Sequence, residues 1–273
     1  MADKTKIEWC DTTWNPVTGC KHGCEYCYAR GIARRFAKDE RYHAISDREN
    51  EKVIISGISC EHGVVHNPVC QKRLSPYPYG FDPTFHRYRL EEPEHWRKPR
   101  NIFVCSMADL FGEWVPDRWI EEVFAACAAA PQHNYMFLTK NHARYAQFAV
   151  KGMLPKEHWY GTTITGPVGR FFSEYGYNTF LSIEPLLKPF TEGHAINGWM
   201  AVLHIGWIIV GAQTGPGAKD HRPEPAWVRN ICGMAGFGNK PVFMKDSLVP
   251  IIGEENMRRE LPKGLVINDR WQA

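Results

Sequence analysis

Short runs of consecutive apolar residues recur along most of the chain and predict buried strands. These runs lack the strict apolar–polar alternation of a half-exposed strand. Continuous runs are typical of parallel strands that are buried on both faces. We predict strands at residues 12–18, 101–106, 134–140, 159–164, 179–184, 207–211 and 241–245.

Helical patterns lie between several of these runs. After Pro116, the side chains of Trp119, Val123 and Cys127 share one face, and Asp117 is the predicted N-cap. Further helices are predicted at YARGIARRFAKD after the first strand, at 142–151, and at 225–235 with Gly236 as the stop. Alternation of this kind predicts an α/β fold, a β/α layer or barrel of parallel strands.

Residues 39–99 interrupt the alternation, because they contain no obvious β/α unit. A structureless loop of this length is uncommon in a compact domain. We therefore interpret the segment as an insertion after the first β/α unit of a single domain that spans residues 1–273. Its interleaved aromatic and basic residues suit either nucleic-acid binding or packing of a small lobe on the barrel: Tyr77, Tyr79, Phe81, Phe85, His86, Arg87, Tyr88, Arg89 and Trp96.

The composition is that of a globular protein. Hydrophobic residues make up 44% of the 273 positions and charged residues 23%, which excludes a disordered or fibrous chain. A net charge of +3 is too small to predict nucleic-acid binding by itself. Residues 199–212, the longest nearly apolar stretch, are too few to span a bilayer, and the first ten residues lack the apolar core of a signal peptide. We expect a cytoplasmic protein with no membrane partner.

The nine cysteines favour metal binding or chemistry over a disulfide framework, because their number is odd and no export signal is visible. Cys20, Cys24 and Cys27 form a C-x3-C-x2-C cluster on a glycine-containing loop after the first predicted strand. A cubane iron–sulfur cluster normally takes four cysteines, so three would leave one iron open to another ligand. Zinc completed by His22 or a distant cysteine is the alternative.

Several segments resemble a known superfamily. The cysteine spacing, with the aromatic Tyr26 before the third cysteine, is similar to the radical SAM motif. The segments KIEWCDTTWNPVTGC, CEYCYA, KPRNIFVCSMADLF, APQHNYMFLTK, FLSIEPLL and WIIVGAQTGPGA resemble a phage- and prophage-associated radical SAM family of unknown function. The similarity runs from Lys6 to about Lys245. The CEYCY portion and the strand-end lysine are also similar to spore photoproduct lyase, a more distant relative that repairs a thymine dimer.

The resemblance implies a partial (β/α)6 TIM-like barrel with a [4Fe–4S] cluster on Cys20, Cys24 and Cys27. The open iron would bind S-adenosylmethionine, and an electron donor such as flavodoxin or ferredoxin would reduce the cluster. Reductive cleavage would then give a 5′-deoxyadenosyl radical that abstracts hydrogen from an organic substrate. The phage association and the likeness to the lyase favour a nucleic acid or nucleotide as substrate, while a peptide or small metabolite is equally compatible with the charge.

Polar residues follow the predicted strands, at the edge where parallel barrels collect their chemistry. We assign Lys140 to the carboxylate of S-adenosylmethionine, Ser106 to its methionyl group or ribose, and Glu184 to a ribose hydroxyl or the ammonium. The predicted border of the adenine consists of Tyr26, Gly211 and Gln213. Lys140, Ser106 and Glu184 each have the alternative of being an ordinary solvent-facing strand end.

Three further residues are assigned to catalysis or substrate contact. Lys245 and Asp246, on the last strand, are predicted to contact the substrate. Cys105 is predicted either to donate a hydrogen atom to a substrate radical or to be a small core residue, as we predict for Cys127.

Two metal-site alternatives remain open. The whole protein could be a non-catalytic zinc-binding module, with the three clustered cysteines as a structural site. A separate metal site could lie in the insertion, on Cys60, His62, His66 and Cys70.

Overall fold

The computed structural model describes residues 5–37, 76–167, 170–190, 205–215 and 217–265, and the backbone of short strands between residues 42 and 74. The strands are β1 Thr12–Trp14, β2 Val17–Thr18, β3 Tyr42–His43, β4 Arg48–Glu49, β5 Lys52–Ile55, β6 Ser59–Cys60, β7 Gly63–Val64, β8 Arg73–Leu74, β9 Thr84–His86, β10 Asn101–Val104, β11 Asn134–Thr139, β12 Trp159–Ile164, β13 Asn178–Ile183, β14 Trp207–Val210 and β15 Val242–Met244.

The α-helices of the described residues are α1 Tyr28–Phe36, α2 Asp117–Ala129, α3 His142–Val150, α4 Pro225–Phe237 and α5 Val249–Ile252. Short 3-10 turns occur at Arg87–Arg89, Glu92–His95, Asp246–Leu248 and Glu254–Asn256. Within the described residues, no helix combines the length and the apolar character that crossing a bilayer requires.

Seven parallel strands form one sheet that curls into a half-barrel, in the order β1-β10-β11-β12-β13-β14-β15. Helix α2 connects β10 to β11, α3 connects β11 to β12, and α4 connects β14 to β15. The predicted α/β class and its parallel strands are therefore confirmed. The first predicted strand is in fact two strands, because β1 joins the half-barrel while β2 pairs antiparallel with β9.

The other six predicted strands agree with the observed bounds to within two residues at each end. Two predicted helix ends were wrong. Pro116 is the N-cap of α2, and Asp117 is instead its first helical residue, with its carboxylate paired to Arg144 and Lys151. Helix α4 continues past the predicted stop, and its C-cap is Gly238.

The two faces of the half-barrel carry separate cores, because successive side chains of a strand point to opposite faces. The convex face packs against the helices through side chains such as Phe137 and Val210. The concave face is filled by what we call the aromatic plug: Trp9, Phe103, Met136, Trp159, Phe180, Trp207 and Phe243. Gly161 also faces inward, since a Cβ there would lie 2.2 Å from the Phe180 ring. The plug closes the interior of the half-barrel below the carboxyl ends of its strands.

The described part of the predicted insertion packs against the half-barrel. Strand β9 pairs with β2 and β5, and Phe85 is fully buried. Arg87 pairs with Glu122 of α2 through two bonds of 2.8 Å, and Trp96 packs on the same core. These residues serve packing, which was one of the two alternatives. The side chains of Cys60, His62, His66 and Cys70 lie outside the described residues.

Candidate functional site

A cavity of about 650 Å³ lies at the carboxyl ends of the half-barrel strands, and Trp9 and Phe103 of the aromatic plug form part of its lining. On six of the seven strands, the inward positions continue past the plug into this cavity and become polar there. One such residue comes from each of six strands: Asn15, Lys140, Thr163, Glu184, Gln213 and Lys245. The period of two along each strand therefore brings the predicted strand-end residues together.

The three clustered cysteines line the same cavity, and all three are free thiols. Their loop begins at Gly19, whose N–H donates to the Met107 carbonyl at 2.9 Å. Gly19 has φ +88°, and a Cβ there would lie 2.2 Å from the Asp82 carbonyl oxygen, so the position requires glycine. The loop ends at Cys27, whose sulfur caps α1 by accepting from the Arg30 N–H at 3.4 Å.

The thiols of this loop interact electrostatically. Burial raises the pKa of Cys20 to about 11, although a hydrogen bond from the His22 backbone lowers it. Negative charge on Asp109, Cys24 or Cys27 contributes to this rise in the pKa of Cys20. Within the described residues, no group of three or more His, Cys, Asp or Glu side chains is arranged to hold a metal ion.

Asp109 links the cysteine loop to the end of β11. Its Oδ2 lies 2.7 Å from the His22 Nε2 and accepts from the Lys140 backbone N–H at 3.0 Å. Its Oδ1 accepts from the Thr139 hydroxyl at 2.7 Å and from the Phe111 N–H at 3.0 Å. A buried carboxylate with four donors is a well-satisfied ion.

Lys140 and Ser106 lie on the cysteine side of the cavity. The Lys140 ammonium is 5.3 Å from the centre of the Tyr26 ring, which is a cation–π distance. Ser106 donates its hydroxyl to Asn15 Oδ1 at 3.2 Å, and its carbonyl accepts from the Tyr28 hydroxyl at 2.8 Å. Three of the predicted cofactor contacts, Tyr26, Ser106 and Lys140, are therefore brought together in the lining.

Glu184 and Lys245 form an ion pair in another part of the lining. The Lys245 Nζ lies 2.5 Å from Glu184 Oε1 and 3.6 Å from Glu8 Oε2. Burial lowers the pKa of Lys245, but the attraction of the two glutamates outweighs it and holds that pKa above its ordinary value. Gly211 packs against the pair, because a Cβ there would lie 3.1 Å from both Glu184 Oε1 and Lys245 Cδ.

Residues 4–247, which include the cysteine loop and the ion pair, match a family model described as "Protein of unknown function (DUF5131)". The chain belongs to the DUF5131 family. No curated protein and no solved structure matches it.

Two residues to which we assigned a catalytic or substrate role do not line the cavity of this DUF5131 protein. Strand β10 ends at Val104, and Cys105 takes the left-handed conformation with φ +58°. The alternation breaks there, so Cys105 packs in the convex-face core, where burial raises its pKa to about 12. Asp246 is absent from the cavity lining and pairs with Arg259 at an exposed position. Cys127 is a core residue, as predicted.

From the sequence, Asp109 was a candidate polar strand-end residue with a helix cap as its alternative, His22 was considered only as a zinc ligand, and Glu8 was assigned no role. His22 and Asp109 are 87 positions apart, and Glu8 accepts from the Asp246 N–H across 238 positions. No local sequence pattern predicts contacts between residues so far apart in the chain. The available signals are the position of His22 between two clustered cysteines and that of Asp109 just after a predicted strand.

Proposed function

We propose that this DUF5131 protein is a radical SAM enzyme, with a [4Fe–4S] cluster on Cys20, Cys24 and Cys27. The observation that carries the proposal is the shared cavity. Three free thiols with the C-x3-C-x2-C spacing face the same space as the Lys140 ammonium and the polar ends of the parallel strands.

The donor set fits such a cluster. Each cysteine of a cubane binds a different iron, so the three thiols have to face one space rather than meet at one point. The other cysteines described near the cavity, Cys10 and Cys105, are buried in the apolar cores. Three ligands then leave one iron for S-adenosylmethionine.

The residues of the lining have separate tasks in this proposal. When bound, the reduced cluster would supply one electron that breaks a carbon–sulfur bond of the sulfonium, giving methionine and a 5′-deoxyadenosyl radical that would abstract hydrogen from the substrate. Lys140 binds the carboxylate as a point charge, Ser106 offers a hydroxyl, and Gln213 borders the adenine. Glu184 accepts from the Lys245 ammonium through Oε1 and offers Oε2 as an acceptor for a ribose hydroxyl or the ammonium of S-adenosylmethionine.

The fold and the plug support the same chemistry. A curled sheet of parallel strands with a polar carboxyl edge suits the partial (β/α)6 barrel of the radical SAM superfamily. The aromatic plug excludes water from below the cavity. We propose Lys245 as a substrate contact, a nucleic acid or nucleotide as the substrate, and flavodoxin or ferredoxin as the electron donor.

Anaerobic reconstitution with iron and sulfide tests the proposal. We expect a brown protein with about four irons per chain, which forms 5′-deoxyadenosine when dithionite and S-adenosylmethionine are added. A protein that has the cluster but forms no 5′-deoxyadenosine would contradict the enzymatic proposal. A colourless protein with zinc and no iron would instead identify a zinc-binding module.

The substrate class has its own test. We expect DNA or RNA to bind with an affinity that falls steeply as the salt concentration rises, because phosphate contacts release counterions. Absence of measurable binding to DNA, RNA and nucleotides would contradict the proposed substrate class and leave the cofactor chemistry untouched.

A further inference from the structure

One carboxylate, that of Asp109, contacts both parts of the cavity that the proposed function requires. We propose that Asp109 is a positioning residue, which holds the cysteine loop at a fixed place relative to the Lys140 ammonium. This inference rests on the proposed function, because it concerns the distance between the cluster and the carboxylate of S-adenosylmethionine.

The first contact of Asp109 is with the cysteine loop. His22 lies between Cys20 and Cys24, and its Nε2 is 2.7 Å from Asp109 Oδ2. The edge of the His22 ring also meets Trp114, at 4.8 Å between ring centres. His22 is therefore held on one side by a charge-assisted hydrogen bond and on another by an aromatic contact.

The second contact is with β11. Thr139, its last residue, donates its hydroxyl to Asp109 Oδ1 at 2.7 Å, and the Lys140 N–H donates to Oδ2 at 3.0 Å. Asp109 is only 5% exposed, so water does not compete effectively for these bonds. The loop and the strand end thus share one buried anchor.

Lys140 also contacts the loop through its side chain, because its ammonium lies over the Tyr26 ring. The loop and Lys140 are consequently joined twice, at the backbone through Asp109 and at the side chain through Tyr26. A displacement of the loop would move the three thiols away from the ammonium. Because misplacement of reacting groups by about 1 Å can cost on the order of 100-fold in rate, this double connection has a direct consequence for the reaction.

Three substitutions test the role of the anchor in the full chain. His22→Phe keeps a ring against Trp114 but removes the donor to Asp109. His22→Gln restores an N–H that can reach the carboxylate. His221→Phe, at an exposed residue that neither lines the cavity nor contacts the loop, is the matched control.

The measurement is the electron paramagnetic resonance spectrum of the reduced, reconstituted protein during titration with S-adenosylmethionine. We expect His22→Phe to bind iron as the wild type does, but to bind S-adenosylmethionine roughly tenfold more weakly, since it lacks a hydrogen bond to a buried charge. Its spectrum with S-adenosylmethionine should also differ from that of the wild type. His22→Gln should recover most of the affinity.

Two results would overturn the inference. One is an affinity and a spectrum of His22→Phe that equal those of His221→Phe. The other is equal impairment of His22→Phe and His22→Gln, which would show that a restored hydrogen bond to Asp109 does not restore the position of the loop.

Hydrogen exchange of the amides of residues 20–27 in the metal-free protein gives a readout independent of the cluster. Faster exchange in His22→Phe than in the control would support the anchor, and unchanged exchange would contradict it. A wild-type chain that takes up no cluster would contradict the proposed function alone, because the exchange measurement would still decide whether Asp109 holds the loop.

Discussion

The two ends of the cavity are built differently. At the thiol end (Cys20, Cys24 and Cys27), free thiols face the cavity on a loop whose His22 contacts Asp109. At the ion-pair end (Glu8, Glu184 and Lys245), the charged groups bond to one another. A satisfied ion pair is stable without a ligand, whereas a set of free thiols gains its function by binding one. Under the proposed function, this difference fits cofactor binding at the thiol end and fixed electrostatics at the ion-pair end.

The largest expected effect is the loss of iron on substitution at the thiol end. Cys24→Ala should reduce the iron content of reconstituted protein to near zero, because two thiolates are too few to retain a cubane. Iron analysis and visible absorption measure this. The matched control is Cys232→Ala on α4, which should keep wild-type iron. Full iron content in Cys24→Ala would remove the distinction between the two ends.

Gly19→Ala should cause the largest loss of stability. The new Cβ meets the Asp82 carbonyl at a residue with φ +88°, and we expect the free energy of unfolding to fall by about 3 kcal/mol. Gly31→Ala is the control, because nothing lies within 4 Å of a Cβ in that helix; it should stabilise the protein by about 1 kcal/mol. Urea unfolding measures both. Equal stabilities of the two variants would show that the loop is not held as described.

Substitutions at the ion-pair end should have a smaller effect. Glu184→Gln removes the main partner of Lys245, and we expect a loss of about 1–2 kcal/mol because the pair is only partly buried. The exposed Glu254→Gln should have no effect. In a double-mutant cycle with Lys245→Met, the double variant should cost much less than the sum of the single variants. Additive losses would mean that the two residues do not interact.

The smallest expected effect concerns pH. Because the pKa of Lys245 is raised above 10.5 in the folded protein, its stabilising contribution is complete below pH 10.5 and is lost as the pH rises beyond that value. The stability difference between the wild type and Lys245→Met should be constant at lower pH and shrink above pH 10.5. Unfolding curves at a series of pH values measure it, and a difference that grows with pH would contradict the ion pair.

Strand positions illustrate what local pattern can predict. Six predicted strands match the observed bounds closely, because a continuous apolar run identifies a strand that is buried on both faces. The polar residue after each run also predicts the cavity edge, since parallel strands end on the same side. The cysteine loop was found for a similar reason, as its spacing lies within eight residues.

Cys105 illustrates where the pattern fails. Its position along β10 predicts an inward side chain, but a left-handed backbone at that residue turns the thiol into the opposite core. No residue near Cys105 in the sequence predicts this left-handed conformation. Asp246 is a similar case, because only the position of Arg259 decides which way its carboxylate turns.

By itself, the sequence determined the parallel strands, the three-cysteine loop and the polar edge, because periodicity and spacing are local properties of a chain. Only the tertiary structure decided that Asp109 joins His22 to β11, that Lys245 is paired to two glutamates, and that Cys105 is enclosed in a core. These outcomes depend on which distant segments of the chain meet when the sheet curls. That arrangement is a property of the whole packed molecule, not of any local segment.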